Sequence, residues 1–217
     1  MDNQMSVGSF LGFGIENAKR YFLKFLGLSV IALVALGIGI AISAVLFDMF
    51  EDTGAIIGSL LVTFLAIVIG FSFYKNVLNL CRGEKINIMA FGDASPETLL
   101  NFFILMILMS VALSIGYLLF VVPGIILTVM LLPAPFLVID RGMGPIAAIK
   151  ESIKITAGHK MDIFAGTFIS LVVAYVLSIF VITLIFTIPM SMFVYVYPYL
   201  QLTGQLDEAK KNLGANA

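Results

Sequence analysis

Residues 116–161 read GYLLFVVPGIILTVMLLPAPFLVIDRGMGPIAAIKESIKITAGHKM, and this stretch decides the fold. One apolar run reaches Pro123 and Gly124, a second ends at Asp140, and a charged segment follows. Proline and glycine between two apolar runs predict a turn that joins two membrane-crossing helices. Pro123, Gly124 and Asp140 are therefore the predicted structural markers of a helical hairpin.

The composition of the whole chain agrees with a membrane protein. Of its 217 residues 61% are hydrophobic and 12% are charged, whereas soluble domains carry about 25% charged residues. Several apolar runs exceed the roughly 20 residues that cross a bilayer. The net charge of −1 leaves no basic footprint for nucleic acid, so nucleic-acid binding is not expected.

The apolar runs predict an all-α, polytopic transmembrane helical bundle of six spans, arranged as three hairpins with interfacial amphipathic helices. The segments of this single integral membrane domain (1–217) are an N-terminal interfacial helix (1–20), a first hairpin (21–80), a second hairpin (98–139), a cytoplasmic amphipathic helix (143–158), a third hairpin (162–203) and a tail (204–217). Acidic residues 48–52 mark the first turn, and Pro189 marks the third. Whether the segment after Pro189 is a full sixth span stays open.

The N-terminal segment has one aromatic face. Its residues Phe10, Phe13, Asn17, Tyr21 and Phe25 recur at helical spacing, which suits a helix lying at the membrane surface.

The distribution of basic residues predicts the orientation. Cytoplasmic loops of membrane proteins are enriched in lysine and arginine. Bases flank alternate ends of the predicted spans: Lys19, Arg20, Lys24, Lys75, Arg82, Lys85, Arg141, Lys150, Lys154, Lys160, Lys210 and Lys211. Six spans with both termini in the cytoplasm satisfy all of these loops. A five-span alternative places the tail lysines outside.

Small residues predict where helices approach each other closely. Gly39 lies in a four-residue repeat of the first span, and Gly166, Ser170 and Ala174 repeat every four residues in the third hairpin. Such stripes allow close helix packing in membranes. These four positions are the predicted helix-packing residues.

The segment from Pro145 to Ala157 predicts an amphipathic helix. Its apolar stripe is Ile146, Ile149, Ile153 and Ala157, and its bases are turned away from that stripe. Arg141, Lys150, Lys154 and Lys160 are the candidate residues for contact with lipid headgroups or a partner, because each base near an anionic leaflet contributes about 1 kcal/mol. Topology anchoring is the alternative role for them.

Groups suited to catalysis or to metal and cofactor binding do not converge in this sequence. No predicted span has an ionisable residue at its centre, which disfavours ion-coupled transport. His159 and Cys81 are the only histidine and cysteine, and they lie far apart, so no metal site is predicted. No catalytic residue, cofactor-binding residue or cofactor is expected, and the chain is not expected to be an enzyme.

Five segments together resemble a known family. They read LCRGEKINIMAFG (80–92), VVPGIIL (121–127), PFLVID (135–140), AAIKESIKITAGH (147–159) and VYVYPYLQL (194–202). They are similar to the bacterial YciC-like inner-membrane proteins and to the membrane domain fused to some glycerophosphoryl diester phosphodiesterases. The resemblance implies a six-helix membrane protein associated with envelope or lipid homeostasis. It implies no esterase activity, because that activity belongs to a separate barrel absent from this sequence.

These observations predict a non-enzymatic integral membrane protein, either an envelope or lipid-homeostasis factor or a subunit of a membrane assembly. Its expected partners are membrane lipids, with other membrane proteins or a second copy as further candidates. The alternative function is a small-molecule or lipid transporter that uses proline-broken helices, as discontinuous helices do in transporters.

Overall fold

The computed structural model describes residues 7–87, 90, 92–178 and 181–215. In these residues the chain is helical without strands, as the sequence predicts. The helices are α1 (Val7–Arg20), α2 (Phe22–Cys81), α3 (Pro96–Leu119), α4 (Val121–Leu131), α5 (Ala134–Arg141), α6 (Pro145–Thr156), α7 (Lys160–Ser178), α8 (Val181–Leu202) and α9 (Leu206–Ala215).

Helix α2 folds back on itself at Glu51, where the backbone leaves helical geometry with φ of 49° and ψ of −124°. A straight helix of 60 residues would be about 90 Å long. Instead Gly58 lies against Ser43, and Gly39 lies against Leu65. Residue pairs that are about equally distant from residue 51 in the sequence, on its two sides, can touch only if the two arms are antiparallel. In the structure α2 is therefore a hairpin that turns at Glu51, within the acidic stretch 48–52.

The second hairpin reverses at Phe120, which has an extended backbone between α3 and α4. The predicted turn at Pro123-Gly124 is therefore three residues too late. Both residues lie in the first turn of α4, where proline is tolerated because the missing N–H would have no intrahelical partner. Gly124 still allows the close crossing, because a Cβ there would overlap the Tyr117 ring.

The predicted fourth span is divided between α4 and α5 by a turn at residues 132–133. Pro133 and Pro135 lack the N–H that would bond to the carbonyls four residues earlier. Helix α5 ends after Arg141, where Gly142 has a φ of +60°. Glycine adopts this left-handed conformation without steric cost, which makes it a favoured helix stop.

Helices α7 and α8 pack against each other. The predicted turn at Pro189 is wrong, because Pro189 lies inside α8. Proline is common inside membrane helices, where neighbouring groups satisfy the freed carbonyl. The two arms are therefore of similar length, 19 and 22 residues, rather than one long and one short.

The two ends of the described chain pack into the bundle. The aromatic face of α1 is buried, and Phe10 contacts Tyr197 of α8 at a ring-centroid distance of 4.6 Å. The predicted tail forms α9, which buries Leu206, Ala209 and Leu213 against the other helices. The aromatic face of α1 therefore contacts protein, whereas Tyr21 and Phe25 of the predicted face lie after the end of α1. The position of this helix at the membrane surface stays a prediction.

The two polar ends of the described chain meet at one end of the molecule. We call this end, where Arg20 and Cys81 meet α9, the basic end. There the Arg20 guanidinium donates to the Leu213 carbonyl at 2.6 Å, and Asn212 donates to the Cys81 carbonyl at 3.3 Å. The reversals at Glu51 and Phe120 lie at the far ends of their hairpins. The fold therefore brings the base-carrying segments at the ends of α1 and α2 together with α9, at one end of the molecule.

Within the described residues, three segments are long and apolar enough to cross a membrane: Phe22–Cys81, Pro96–Leu119 and Val121–Arg141. In the most apolar window of the first, only 6% of residues are buried by protein. A soluble protein would not leave such a surface in water. Membrane association follows from this, and the buried aromatic core is concentrated in α1, the Cys81 end of α2, α5 and the end of α8.

Candidate functional site

A buried polar cluster lies at the basic end and centres on Asp140, whose side chain is 3% exposed. The Arg82 guanidinium forms an ion pair with Asp140 Oδ1, and the Tyr199 hydroxyl donates to Oδ2. Gln205 Nε2 also donates to Oδ2, at 3.4 Å. We call these four residues the Asp140 cluster.

Local structure explains why these groups meet. Asp140 lies in the last turn of α5, where a carboxylate is disfavoured by the negative end of the helix dipole. Arg82 follows the last residue of α2 and supplies the compensating charge. The Tyr199 ring is held in place by stacking on Phe136 of α5 at 5.4 Å. The cluster thus ties the ends of α2, α5 and α8 to the start of α9.

A cavity of about 450 Å³ adjoins the cluster. Its lining is Leu78, Cys81, Arg82, Leu200, Gln205, Glu208, Ala209 and Asn212. Within the described residues, no three His, Cys, Asp or Glu side chains group closely enough to hold a metal ion. The arrangement is suited to holding helix ends together.

The four bases predicted to contact lipid or a partner are all exposed. Arg141 ends α5, Lys150 and Lys154 lie one turn apart on α6, and Lys160 begins α7. The Lys154 ammonium lies 3.7 Å from the Glu151 carboxylate, so part of its charge is neutralised. We call these four residues the basic surface.

Helix α6 holds this surface against the bundle by its small residues. Ala148, Ser152 and Thr156 are buried, whereas Ile146 and Ala157 of the predicted apolar stripe are exposed. The predicted stripe is therefore not the packing face, because close approach of two helices requires small side chains. The Ser152 hydroxyl donates to the Met130 carbonyl at 2.6 Å, next to the proline break.

Replacing Ser152 with alanine is expected to lower the free energy of unfolding by about 1–3 kcal/mol, because the Met130 carbonyl loses its donor. The measurement is a denaturation curve in detergent, followed by circular dichroism. Ser110→Ala is the control, since Ser110 bonds to the Ile107 carbonyl of its own exposed helix face. Equal effects of both substitutions would contradict a docking role for Ser152.

The part of the sequence that builds most of this end of the molecule matches a known protein family. Residues 49–202 match UPF0259, an uncharacterised protein family. The chain belongs to UPF0259. No solved structure matches the chain. The matched region of this UPF0259 member begins in the turn of the first hairpin and ends with α8, so it contains Arg82, Asp140 and Tyr199.

The structure describes the surroundings of two of the four predicted helix-packing residues of this UPF0259 member. Gly39 contacts the second arm of α2, where a Cβ would lie 2.6 Å from Leu65 Cδ1, and Gly166 contacts the Phe10 ring of α1. Both are therefore positions of close approach. The side chains of Ser170 and Ala174 lie outside the described part of the structure.

Sequence reasoning marked Asp140 as a structural turn and missed the Asp140 cluster. Asp140 does lie in the last turn of α5, and the structure adds that its carboxylate is buried and paired with a cation 58 residues earlier in the chain. One signal existed: Arg82, Asp140 and Tyr199 lie in three of the five segments that carry the family resemblance. Gln205 had no such signal, because it lies in the segment predicted to be a tail.

Proposed function

We propose that this UPF0259 member is a non-enzymatic, six-span protein of a bacterial inner membrane, with both termini in the cytoplasm, that binds anionic phospholipid headgroups through its basic surface. Its role would be that of a lipid-homeostasis or envelope factor, in line with the YciC-like resemblance. The observation that carries the proposal is the docking of α6, which holds exposed bases on a packed helix.

The positions of the loops support this orientation. The ends of α1, α2 and α5 meet α9 at the basic end, whereas Glu51 and Phe120 lie in turns that contain no base. Lysine and arginine accumulate on the cytoplasmic side of membrane proteins. Anionic lipids give that leaflet a negative surface potential, so exposed bases there meet their natural counter-charge.

The transporter alternative has less support. A discontinuous helix serves transport when its freed carbonyls are open to a substrate. At the break between α4 and α5, the prolines free the carbonyls of Val129 and Leu131, and both residues are buried. The Met130 carbonyl between them accepts a hydrogen bond from Ser152, and the side chains of α5 from Ala134 to Val138 are buried. The break therefore serves packing, and we do not extend the proposal to transport.

Lipid preference tests the proposal. Detergent-solubilised protein is mixed with phosphatidylglycerol and phosphatidylcholine of identical acyl chains, and bound lipids are counted by native mass spectrometry. We expect the double variant Lys150→Gln/Lys154→Gln to lower the preference for phosphatidylglycerol between about fivefold and thirtyfold, because two bases contribute about 2 kcal/mol before pairing with Glu151 reduces it.

The matched control removes the same two charges elsewhere. Lys210→Gln/Lys211→Gln changes α9, where Asp207 and Glu208 already balance the lysines. We expect it to leave the preference within about twofold, since these charges offset each other locally. An unchanged preference in Lys150→Gln/Lys154→Gln, or an equal loss in the control, would contradict binding through the basic surface.

A further inference from the structure

An apolar groove of about 270 Å³ lies between α4 and α7, beside the basic surface. It is lined by Val122, Ile125, Ile126, Val129, Lys160, Met161 and Phe164. Only apolar atoms face into it, so Lys160 contributes its aliphatic stem. Lysine commonly covers apolar surface with its methylene groups while its ammonium reaches the polar phase.

The groove follows the face of α4 that turns towards the start of α7. Val122 and Val129 of that face lie seven residues apart, which is a rise of about 10 Å. One leaflet contributes roughly 15 Å of hydrocarbon. The lining along α4 is therefore about two-thirds as long as the acyl chain of one leaflet. Its floor is the buried Val129, and its rim includes the exposed Val122 and Met161.

The cation that borders the groove can select the headgroup. Lys160 lines the groove, is exposed, and belongs to the basic surface together with Arg141 and Lys150. The nearest acidic residue along the chain, Asp162, has its carboxylate 3.9 Å from His159 Nδ1. An aliphatic groove bordered by a cation complements a lipid that has a long chain and a negative phosphate.

We propose that one acyl chain of an anionic glycerophospholipid occupies this groove, with its phosphate beside the Lys160 ammonium. The inference rests on the proposed binding of anionic headgroups and adds the position of the bound lipid. It makes Lys160 and Ile126 the residues that distinguish this lipid from the surrounding annular lipid.

Fluorescence quenching tests the groove directly, because the chain contains no tryptophan. Phe168→Trp places a reporter next to the groove, since the Phe168 ring stacks on Phe164 at 5.4 Å. Phe64→Trp is the matched control on the exposed face of the first hairpin. Each protein is reconstituted into phosphatidylcholine vesicles that contain an equal fraction of brominated phosphatidylglycerol or brominated phosphatidylcholine.

At the groove reporter, we expect brominated phosphatidylglycerol to show about fivefold higher apparent occupancy than brominated phosphatidylcholine, as one lysine near the phosphate predicts. At the control reporter, the two lipids should quench equally. Lys160→Gln should abolish the preference by removing the charge. Ile126→Phe should abolish it by filling the groove while Lys160 remains.

Three results would overturn the proposal: equal quenching by both lipids at the groove reporter, a preference that persists in Lys160→Gln, or one that persists in Ile126→Phe. Its failure is distinguishable from failure of the wider surface. A groove preference that survives Lys150→Gln/Lys154→Gln supports the groove, even where native mass spectrometry contradicts the role of α6. In the converse case, the double variant loses its preference for phosphatidylglycerol in native mass spectrometry while both lipids quench Phe168→Trp equally. That pair of results supports the basic surface and contradicts the groove.

Discussion

Replacing Arg82 with glutamine is expected to lower the free energy of unfolding by about 3–5 kcal/mol, because it leaves a carboxylate buried without its cation. Asp140 is 3% exposed and cannot recover its hydration, whereas Arg82 is 46% exposed. The converse substitution, Asp140→Asn, leaves the charge that water can reach. We therefore expect Asp140→Asn to cost less, about 1–2 kcal/mol, mainly through weakened hydrogen bonds from Tyr199 and Gln205.

A double-mutant cycle measures this asymmetry. Arg82→Gln, Asp140→Asn and the double variant are unfolded in detergent with a denaturing surfactant, and helix content is followed by circular dichroism. The double variant should be more stable than Arg82→Gln alone, because the unpaired buried charge is gone. Lys85→Gln is the control for loss of an exposed base near Arg82. Equal costs for Arg82→Gln and Lys85→Gln would contradict the buried pair.

A single methyl group at Gly54 is expected to open the first hairpin. A Cβ there would overlap the Leu46 carbonyl oxygen and lie 2.9 Å from the Phe47 nitrogen. Both are backbone atoms of the opposite arm, so no side-chain rotation relieves the overlap. We expect Gly54→Ala to cost about 3 kcal/mol, the upper end of the usual cost of overpacking.

Gly37→Ala is the matched control on the first arm, because a Cβ at Gly37 meets no atom within 4 Å. Alanine favours helix over glycine by up to about 1 kcal/mol, so this control should be neutral or slightly stabilising. The readout is the melting temperature of the monodisperse protein in detergent. Similar melting temperatures for the two variants would argue against close antiparallel arms.

Much of the fold follows from the sequence, because membrane helices are specified by long apolar runs. The turn at residues 48–52 was placed well, since charged residues are excluded from hydrocarbon. The turns at Pro123 and Pro189 were misplaced because proline does not define a reversal. It fits the first turn of α4 in one case and the interior of α8 in the other.

The Asp140 cluster was hidden from sequence reasoning for a different reason. Asp140 and Arg82 are brought together by the packing of two hairpins, and no local periodicity records that contact. Exposure of Lys150 and Lys154 was predictable, because lysine is almost never fully buried without a partner. The packing face of α6 was not, because small residues such as Ala148 and Ser152 have little hydrophobic signal, yet they allow the closest approach.

The contact between Arg20 and the carbonyl of Leu213 has a consequence for biosynthesis. The partners are 193 residues apart in the chain, and domains emerge from the ribosome N-terminal part first. Helix α1 therefore waits for its partner until all the hairpins have been synthesised. Until α9 is released, the hydrogen bond from Arg20 to the Leu213 carbonyl cannot form, so this end of the molecule closes after the helices before α9 have been synthesised.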